Sequence, residues 1–245
     1  MSELFEPIRY SVITEKNPRE IVMLRGRGCA WRRCRFCDYH LDSSKDEAAN
    51  FKLNQKELFK VTGVYHKLEV INSGSFVDLD EPTISLIEEV CLARHISEVH
   101  FECHWMHRES IPAFRKRFAD KGITLKIKIG VETFDALFRE SYLIKGIDTD
   151  DPAEIAADFD EVCLLFGLPG QSLASMESDI KTGLNFFERV CVNIMQKNRM
   201  PILPDPRVIA VFLKELYPKY QSNERVDILL ENTDFGVGGE KNHAK

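Results

Sequence analysis

Residues 21–40 read IVMLRGRGCAWRRCRFCDYH and join an apolar run to a cluster of three cysteines. The run 21–24 is short and apolar, and the glycines that follow it predict a strand ending in a loop. Cys29, Cys34 and Cys37 stand in that loop with the spacing C-x4-C-x2-C. Three thiols within nine residues are more than core packing requires, so the loop is a candidate site for metal or redox chemistry.

Short apolar runs alternate with helical patterns along the rest of the chain. The pattern predicts strands at 21–24, 67–71, 98–103, 124–131, 162–166, 190–195 and 226–230. It predicts helices near 54–65, 82–94, 109–121, 134–144, 172–187 and 205–217. Such alternation is typical of βαβ units and a parallel sheet. We therefore predict an α/β fold, a partial (β/α) TIM-like barrel of about six β/α units plus a C-terminal strand.

The composition is that of a globular protein. The chain has 245 residues, 44% of them hydrophobic, and a formal net charge of −6. We expect one domain over 1–235 and a flexible tail over 236–245. No apolar run approaches the length of a membrane span, and the N-terminus lacks the pattern of a secretion signal, so a cytoplasmic protein without a membrane partner is expected. The acidic excess argues against non-specific binding of nucleic acid.

Four further cysteines stand singly in apolar runs. They are Cys91, Cys103, Cys163 and Cys191. The total of seven is odd, which disfavours a disulfide framework. We predict that these four are small buried hydrophobic residues.

Charged side chains alternate with apolar ones in two predicted strands. Within 124–132, one face carries Leu125, Ile127, Ile129 and Val131, and the other carries Lys126, Lys128, Gly130 and Glu132. Within 99–104, Val99, Phe101 and Cys103 oppose His100, Glu102 and His104. The outer face of a barrel must meet its helices, so the polar faces are expected to line an open lumen that holds a polar ligand. The alternative is an uncovered sheet face in solvent.

Three chemistries compete for the cysteine loop. Zinc could use Cys34 and Cys37, with Cys29 or His40 completing the ligands. A dithiol of Cys34 and Cys37 could cycle as a redox pair. An iron–sulfur cluster with three protein ligands would leave one iron open to a substrate or cofactor. Five arginines lie between Ile21 and Cys37 without an acid; they could stabilise an anionic cluster, contact a phosphate or lie in solvent.

The order of motifs resembles the radical S-adenosylmethionine superfamily over most of the chain. The three-cysteine loop ends in Cys-x2-Cys with Phe36 before the last cysteine, although the usual first spacing is x3 and here it is x4. Residues 72–76 (NSGSF) end a predicted strand where members of the superfamily place a small-residue motif. Residues 130–133 (GVET) and 167–171 (GLPGQ) follow later strands, as in several subfamilies.

The resemblance implies a [4Fe–4S] cluster on Cys29, Cys34 and Cys37 and S-adenosylmethionine (SAM) on its open iron. One-electron cleavage would give a 5′-deoxyadenosyl radical that abstracts a substrate hydrogen. It also implies a reducing partner such as flavodoxin or ferredoxin. The residues implied to bind SAM are Phe36, Asn72, Ser73, Gly74, Ser75, Glu102, Lys128, Glu132 and Leu168. Lys128 would meet the carboxylate, and Glu102 or Glu132 the amine or the ribose hydroxyls.

For the substrate, the chain resembles radical enzymes that act on 7-deazaguanines. CRFCDYH and NSGSF resemble the radical subunit of archaeosine synthase, and the small size resembles bacterial queuine lyases. The latter would release 7-aminomethyl-7-deazaguanine from free queuine by breaking its aminomethyl C–N bond. The implied catalytic candidates are Tyr39, His40 and His104, and the implied substrate-binding candidates are Asp38, Glu231, Asn232 and Asp234.

Two alternatives stay open at the level of sequence. One is a radical enzyme that modifies a 7-deazaguanine in tRNA, although the net charge of −6 makes a nucleic-acid partner unfavourable. The other is an iron–sulfur or zinc binding module without catalysis. The sequence carries no signal for an oligomeric state.

Overall fold

Eight strands form one sheet whose spatial order follows the chain. The computed structural model describes residues 7–238. The strands are β1 (Tyr10–Ile13), β2 (Arg19–Leu24), β3 (Lys67–Asn72), β4 (Glu98–Glu102), β5 (Thr124–Glu132), β6 (Glu161–Phe166), β7 (Arg189–Ile194) and β8 (Val226–Leu229). β1 pairs antiparallel with β2, and all later neighbours pair in parallel. All seven predicted strands are confirmed, and β1 was not predicted.

Helices connect the parallel strands. They are α1 (Glu47–Leu58), α2 (Glu81–Ala93), α3 (Ile111–Ala119), α4 (Pro152–Asp158), α5 (Leu173–Phe186), α6 (Pro206–Val211) and α7 (Tyr217–Tyr220). The stretches Phe138–Leu143 and Phe212–Leu216 are π-helical. The prediction at 54–65 was displaced, because the Asp46 side chain accepts from Ala49 N–H and starts α1 seven residues earlier. α4 was not predicted.

The two edges of the sheet come together. Lys16 Nζ, in the turn between β1 and β2, donates to the carbonyl of Val226 in β8 at 2.9 Å. After β8 the chain returns to the first edge, where Gly238 N–H donates to the Ile8 carbonyl at 2.8 Å. A sheet whose first and last strands share such contacts is curled, which confirms the predicted partial barrel. Of the predicted tail, residues 239–245 lie outside the described part of the chain.

The apolar faces of the strands turn outward and the polar faces turn into the lumen. Phe101, Ile127 and Ile129 pack in one core cluster with residues of the surrounding helices. On the opposite face, Lys128 and Glu132 are each only 7% exposed, and Glu102 is half-buried. The expected direction of the two faces is therefore confirmed, and charged groups line the interior of the barrel. No helix in residues 7–238 is both long and apolar enough to span a bilayer.

Candidate active site

The cysteine loop leaves β2 and is held against the loops that follow the neighbouring strands. Cys29 N–H donates to the carbonyl of Ser73 at 3.0 Å, and Arg35 N–H donates to that of Leu143 at 3.0 Å. Gly28, with φ at +85°, begins the loop, and a β-carbon there would lie 2.7 Å from Cβ of Ser43. The turn therefore requires glycine. The loop lies at the carboxyl ends of the strands, where barrel sites are built.

The three thiols of this loop are free and partly buried. Burial raises the pKa of Cys37 to about 12 and also raises the pKa of Cys34, while the Lys145 ammonium lowers both. Iron binds the thiolate form, which a nearby cation stabilises. Three thiols in one short loop, two of them near a buried ammonium, are a donor set that fits an iron–sulfur cluster with three protein ligands.

A single metal ion is a different case. Within residues 7–238, no three His, Cys, Asp or Glu side chains converge as ligands of one ion. The thiolates of a multi-iron cluster bind separate irons and need not converge, so this finding concerns single-ion sites alone.

Two arginines of the cysteine loop donate hydrogen bonds that hold the backbone of the loop in place. Arg32 Nε donates to the carbonyl of Cys29 at 2.9 Å, and Arg35 Nη1 donates to that of Tyr142 at 3.3 Å. The cation that acts on the buried thiols is Lys145, which follows β5 by thirteen residues in the chain. The charge that favours a cluster thus comes from a residue that the sequence did not single out.

Lys145 forms a buried ion pair with Glu132. Nζ and Oε1 are 2.7 Å apart, and the two side chains are 11% and 9% exposed. Glu132 ends β5 in the left-handed region, with φ at +71°, just after a register shift that begins at Gly130. A β-carbon on Gly130 would lie 2.6 Å from the Glu132 carboxylate and 2.9 Å from Lys145 Nζ. Backbone strain of this kind is concentrated at functional sites.

The loop after β3 packs directly on the cysteine loop. A β-carbon on Gly74 would lie 3.0 Å from both N and Cα of Cys29. Asn72 is buried, and its side-chain oxygen accepts no hydrogen bond from any described residue. Buried acceptors are normally paired. The loop that packs on Cys29 thus contains an unpaired buried acceptor, and the roles of its residues in binding SAM stay predictions.

The serines of the same loop hold other segments in place. Ser73 Oγ donates to the carbonyl of Asp42 at 2.5 Å. Ser75 Oγ accepts from His104 N–H at 2.9 Å. Both hydroxyls thus tie the loop after β3 to neighbouring loops at the mouth of the barrel.

Phe36 and Leu168 lie together in a small apolar cluster at the mouth. Cys34 and Cys37 pack against this cluster, whose other buried members are Leu143, Leu165, Met195 and Ile202. The Phe36 carbonyl accepts from Asn198 Nδ2 at 2.6 Å, and Leu168 N–H donates to Gln171 Oε1 at 2.9 Å. The structure brings these two predicted cofactor residues together as an apolar wall beside the thiols.

His104 is held on both sides of its ring. Nδ1 accepts from Met106 N–H at 3.2 Å, so Nε2 carries the proton and donates to the Lys145 carbonyl at 2.8 Å. The ring stacks on Trp31 with centroids 5.5 Å apart. Burial, followed by the Lys145 ammonium, lowers the pKa of His104 to about 4. His104 is therefore a neutral ring with both nitrogens engaged, and its catalytic role stays a prediction.

Asp38, Tyr39 and His40 stand where the chain leaves the cysteines, in a turn that includes the 3-10 helix Tyr39–Leu41. Tyr39 is 57% exposed, yet its pKa is raised by burial, followed by the Cys37 thiol and the carboxylates of Glu102 and Glu132. A ring that reaches into the open mouth of the lumen would be both exposed to solvent and close to these negatively charged groups. Asp38 and His40 are half-buried beside it.

The lower lumen contains a network of ion pairs, which we call the lower ion network. Its members are Arg19, Glu69, His100, Lys128 and Glu161. Glu69 pairs with both Arg19 and Lys128. Glu161 lies 3.2 Å from His100 Nδ1 and 3.8 Å from Lys128 Nζ. Lys128, predicted to meet the SAM carboxylate, is thus paired inside this network, whereas Lys145 lies at the thiols.

Glu102 faces the lumen above this network, and no side chain in the described range 7–238 pairs with it. It is level with Lys128 in the register of β4 and β5. Burial raises its pKa to about 7, the charge of Lys128 opposes that rise, and no hydrogen bond contributes. The Glu102 carboxylate, in the middle of the lumen, is therefore available to bind a ligand.

The residues after β8 lie in an exposed turn. Glu231, Asn232 and Asp234 are all exposed. Asp234 Oδ2 accepts from the N–H groups of Leu230 at 2.7 Å and Glu231 at 3.0 Å, so it caps its own turn. The structure does not bring these three residues to the thiols, and their binding role stays a prediction.

The prediction that the isolated cysteines are buried is confirmed for Cys91, Cys103 and Cys191 and wrong for Cys163. Cys91 and Cys103 lie in the apolar core, 0% and 2% exposed. Cys163 is only half-buried and pairs across the strands with Cys191. Because β6 and β7 present these residues to the lumen, the two thiols line it together with charged groups such as Lys128.

Comparison with solved structures gives an extensive match. No family model and no curated protein matches the chain. The solved structure of a queuine lyase from Clostridium spiroforme, bound to SAM and queuine, is 39% identical with a TM-score of 0.91. The alignment covers 96% of this chain and 100% of that chain. A Bacillus subtilis protein described as a sporulation-specific glycosylase aligns at 10% identity with a TM-score of only 0.33, too low to bear on fold or function.

Proposed function

The chain belongs to the queuine lyase family, and on that premise we propose that it is a radical S-adenosylmethionine lyase that cleaves free queuine. The reaction breaks the bond between the aminomethyl nitrogen and the cyclopentenediol ring and releases 7-aminomethyl-7-deazaguanine for salvage. The observation that carries this proposal is the full-length similarity to a queuine lyase bound to SAM and queuine, at 39% identity.

The cysteine loop supports the proposed cofactors. Cys29, Cys34 and Cys37 would hold a [4Fe–4S] cluster, and Lys145 would offset its negative charge. The cluster and SAM together supply one-electron chemistry that abstracts a substrate hydrogen. Asn72 would accept from the SAM amine through its free side-chain oxygen, and the wall of Phe36 and Leu168 would cover the adenine.

The lumen has the properties that such chemistry requires. A hydrogen-abstracting species must be kept from water, and a walled barrel provides that enclosure. The lower ion network closes the lumen from below with side chains that are paired to each other. Tyr39 and His40 lie at the mouth, where we propose that they contact the substrate together with Asp38. Glu231, Asn232 and Asp234 would contact it from the far edge only if their exposed turn folds inward.

An external electron donor completes the proposal. A flavodoxin or ferredoxin is the class of reducing partner that we propose. Arg27, Arg32 and Arg33 on the cysteine loop are exposed, which would suit the acidic surface of such a partner.

The first test is product formation. Anaerobically reconstituted protein is incubated with SAM, a strong reductant and free queuine, and the products are weighed by mass spectrometry. We expect 7-aminomethyl-7-deazaguanine and 5′-deoxyadenosine. Cys37→Ala is the matched variant and should form neither. Unchanged queuine while SAM is consumed would refute the lyase assignment, and cleavage of queuosine in tRNA instead would favour the tRNA-modifying alternative.

A further inference from the structure

Every carboxylate on the lumen face except one has a cation in direct contact. Glu69 and Glu161 belong to the lower ion network. Glu98 pairs with Lys67 and His100, Asp227 with Arg189, and Glu132 with Lys145. Glu102 has no such contact with any residue in 7–238. A half-buried carboxylate without a cation or donor in contact loses part of its hydration without compensation, so its position favours a positively charged ligand.

The position of Glu102 separates it from the proposed cofactor site. Glu102 is level with Lys128 in β5. The next lumen-facing position of β5 toward the mouth is Gly130, and its missing side chain makes room for the pair of Glu132 and Lys145. That pair lies beside the cysteines, and Gly74 of the loop after β3 packs against Cys29. Glu102 is therefore deeper in the lumen than the groups that fit SAM.

We propose that Glu102 binds the positively charged aminomethyl nitrogen of the substrate in the middle of the lumen. This inference rests on the proposed function, because queuine and its product both carry that nitrogen. An aliphatic ammonium is charged well above neutral pH, as lysine is. Its N–H donors would give Glu102 the charge-assisted hydrogen bonds that the protein itself does not supply. Glu102 would then serve the substrate and not the amine or ribose of SAM.

Charges on the surrounding elements set the pH dependence. The groups that face Glu102 are Glu69 from β3, Lys128 and Glu132 from β5, Lys145 from the following loop, Cys163 from β6 and Tyr39 from the cysteine loop. Both lysines are already paired with other carboxylates. With its pKa at about 7 in the free protein, Glu102 is partly protonated at neutral pH. A cationic ligand favours the ionised form, so binding releases a proton and strengthens as the pH rises from 6 to 8.

The test compares two ligands that share one base. Without reductant there is no turnover, so affinities are measured by calorimetry for 7-aminomethyl-7-deazaguanine, which is cationic, and 7-cyano-7-deazaguanine, which is neutral. Glu102→Gln keeps the shape and removes the charge. It should weaken the cationic ligand by about 10- to 150-fold, the range for hydrogen bonds to charged groups, and leave the neutral ligand unchanged. The matched control is Glu109→Gln, an exposed carboxylate, which should change neither.

The pH profile and the cofactor give independent readouts. In the wild type, affinity for the cationic ligand should rise between pH 6 and 8, and in Glu102→Gln it should be flat. SAM affinity should be the same in both, which also shows that the variant is folded. Equal loss for both bases, no loss for either, or loss of SAM binding would overturn the inference. If the wild type cleaves queuine and Glu102→Gln shows the same affinities and the same cleavage, the inference is refuted and the proposed function stands. If the wild type neither binds nor cleaves queuine, the proposed function is refuted.

Discussion

One added methyl group at Gly74 tests whether the loop after β3 supports the cysteine loop. The β-carbon of Gly74→Ala would lie 2.2 Å from Asp78 Oδ2 and 3.0 Å from the backbone of Cys29. Asp78 cannot simply swing away, because Oδ2 accepts from Ser75 N–H at 2.7 Å. Overpacking costs about 1–3 kcal/mol, and loss of a hydrogen bond to a charged group costs about 1.5–3 kcal/mol. We therefore expect the free energy of unfolding to fall by about 2.5–6 kcal/mol.

The assay combines stability with metal content. Urea unfolding of the metal-free protein gives the free-energy change, and iron per chain is counted after anaerobic reconstitution. Gly74→Ala should lose both stability and iron, because the contact displaces Cys29. Gly183→Ala is the matched control: its β-carbon would lie 2.7 Å from Cγ2 of Val190, so it crowds the helix side of the sheet and should keep its iron. Wild-type iron content and stability in Gly74→Ala would refute the reasoning.

Three further predictions concern charged groups. Lys145→Met leaves Glu132 buried without its cation and should lower the free energy of unfolding, measured by urea titration, by about 3–5 kcal/mol. The double variant Lys145→Met/Glu132→Leu should recover part of that loss. Unchanged stability of the single variant would contradict the pairing. The hydrogen bond to His100 holds the pKa of Glu98 at about 2, below its ordinary 4.5, so this carboxylate contributes stability above pH 4.5 that is lost as the pH falls toward 2. Glu98→Gln should flatten that acid slope, and an identical slope would contradict the assignment. Burial lowers the pKa of His104 to about 4, so its ring signals in NMR should not titrate between pH 5 and 8, and a midpoint near 6.5 would count against its burial.

The fold could be predicted from sequence where the local signals were strong. Seven strands have compact apolar runs with turn residues beyond them, and the helix predicted near 172–187 is α5, which Ser172 caps. β1 carries the mixed sequence YSVI and is held by pairing with β2, which is a tertiary effect. α4 has only seven residues, too few to establish a helical period. Local patterns do not report such elements, because their stability comes from neighbours distant in the chain.

The site was predictable in its thiols and less so in its charges. The spacing of Cys29, Cys34 and Cys37 is a local signal, whereas Lys145 lies thirteen residues beyond β5 and is held by its ion pair with Glu132, for which the missing β-carbon of Gly130 leaves room. Cys163 looked like a core residue because its sequence neighbours are apolar. In a barrel strand those neighbours face the helices while Cys163 faces the lumen, and period-two alternation alone does not say which face is which.

The central claim is tested most directly by measuring the iron and sulfide content of the reconstituted protein and its electron paramagnetic resonance spectrum. Four irons and four sulfides per chain should bind, and the binding should be lost in Cys29→Ala, Cys34→Ala and Cys37→Ala. Adding SAM should change the electron paramagnetic resonance spectrum of the reduced cluster, because SAM occupies the iron that no cysteine holds. One tightly bound zinc per chain, or a reduced cluster whose spectrum SAM leaves unchanged, would contradict the account.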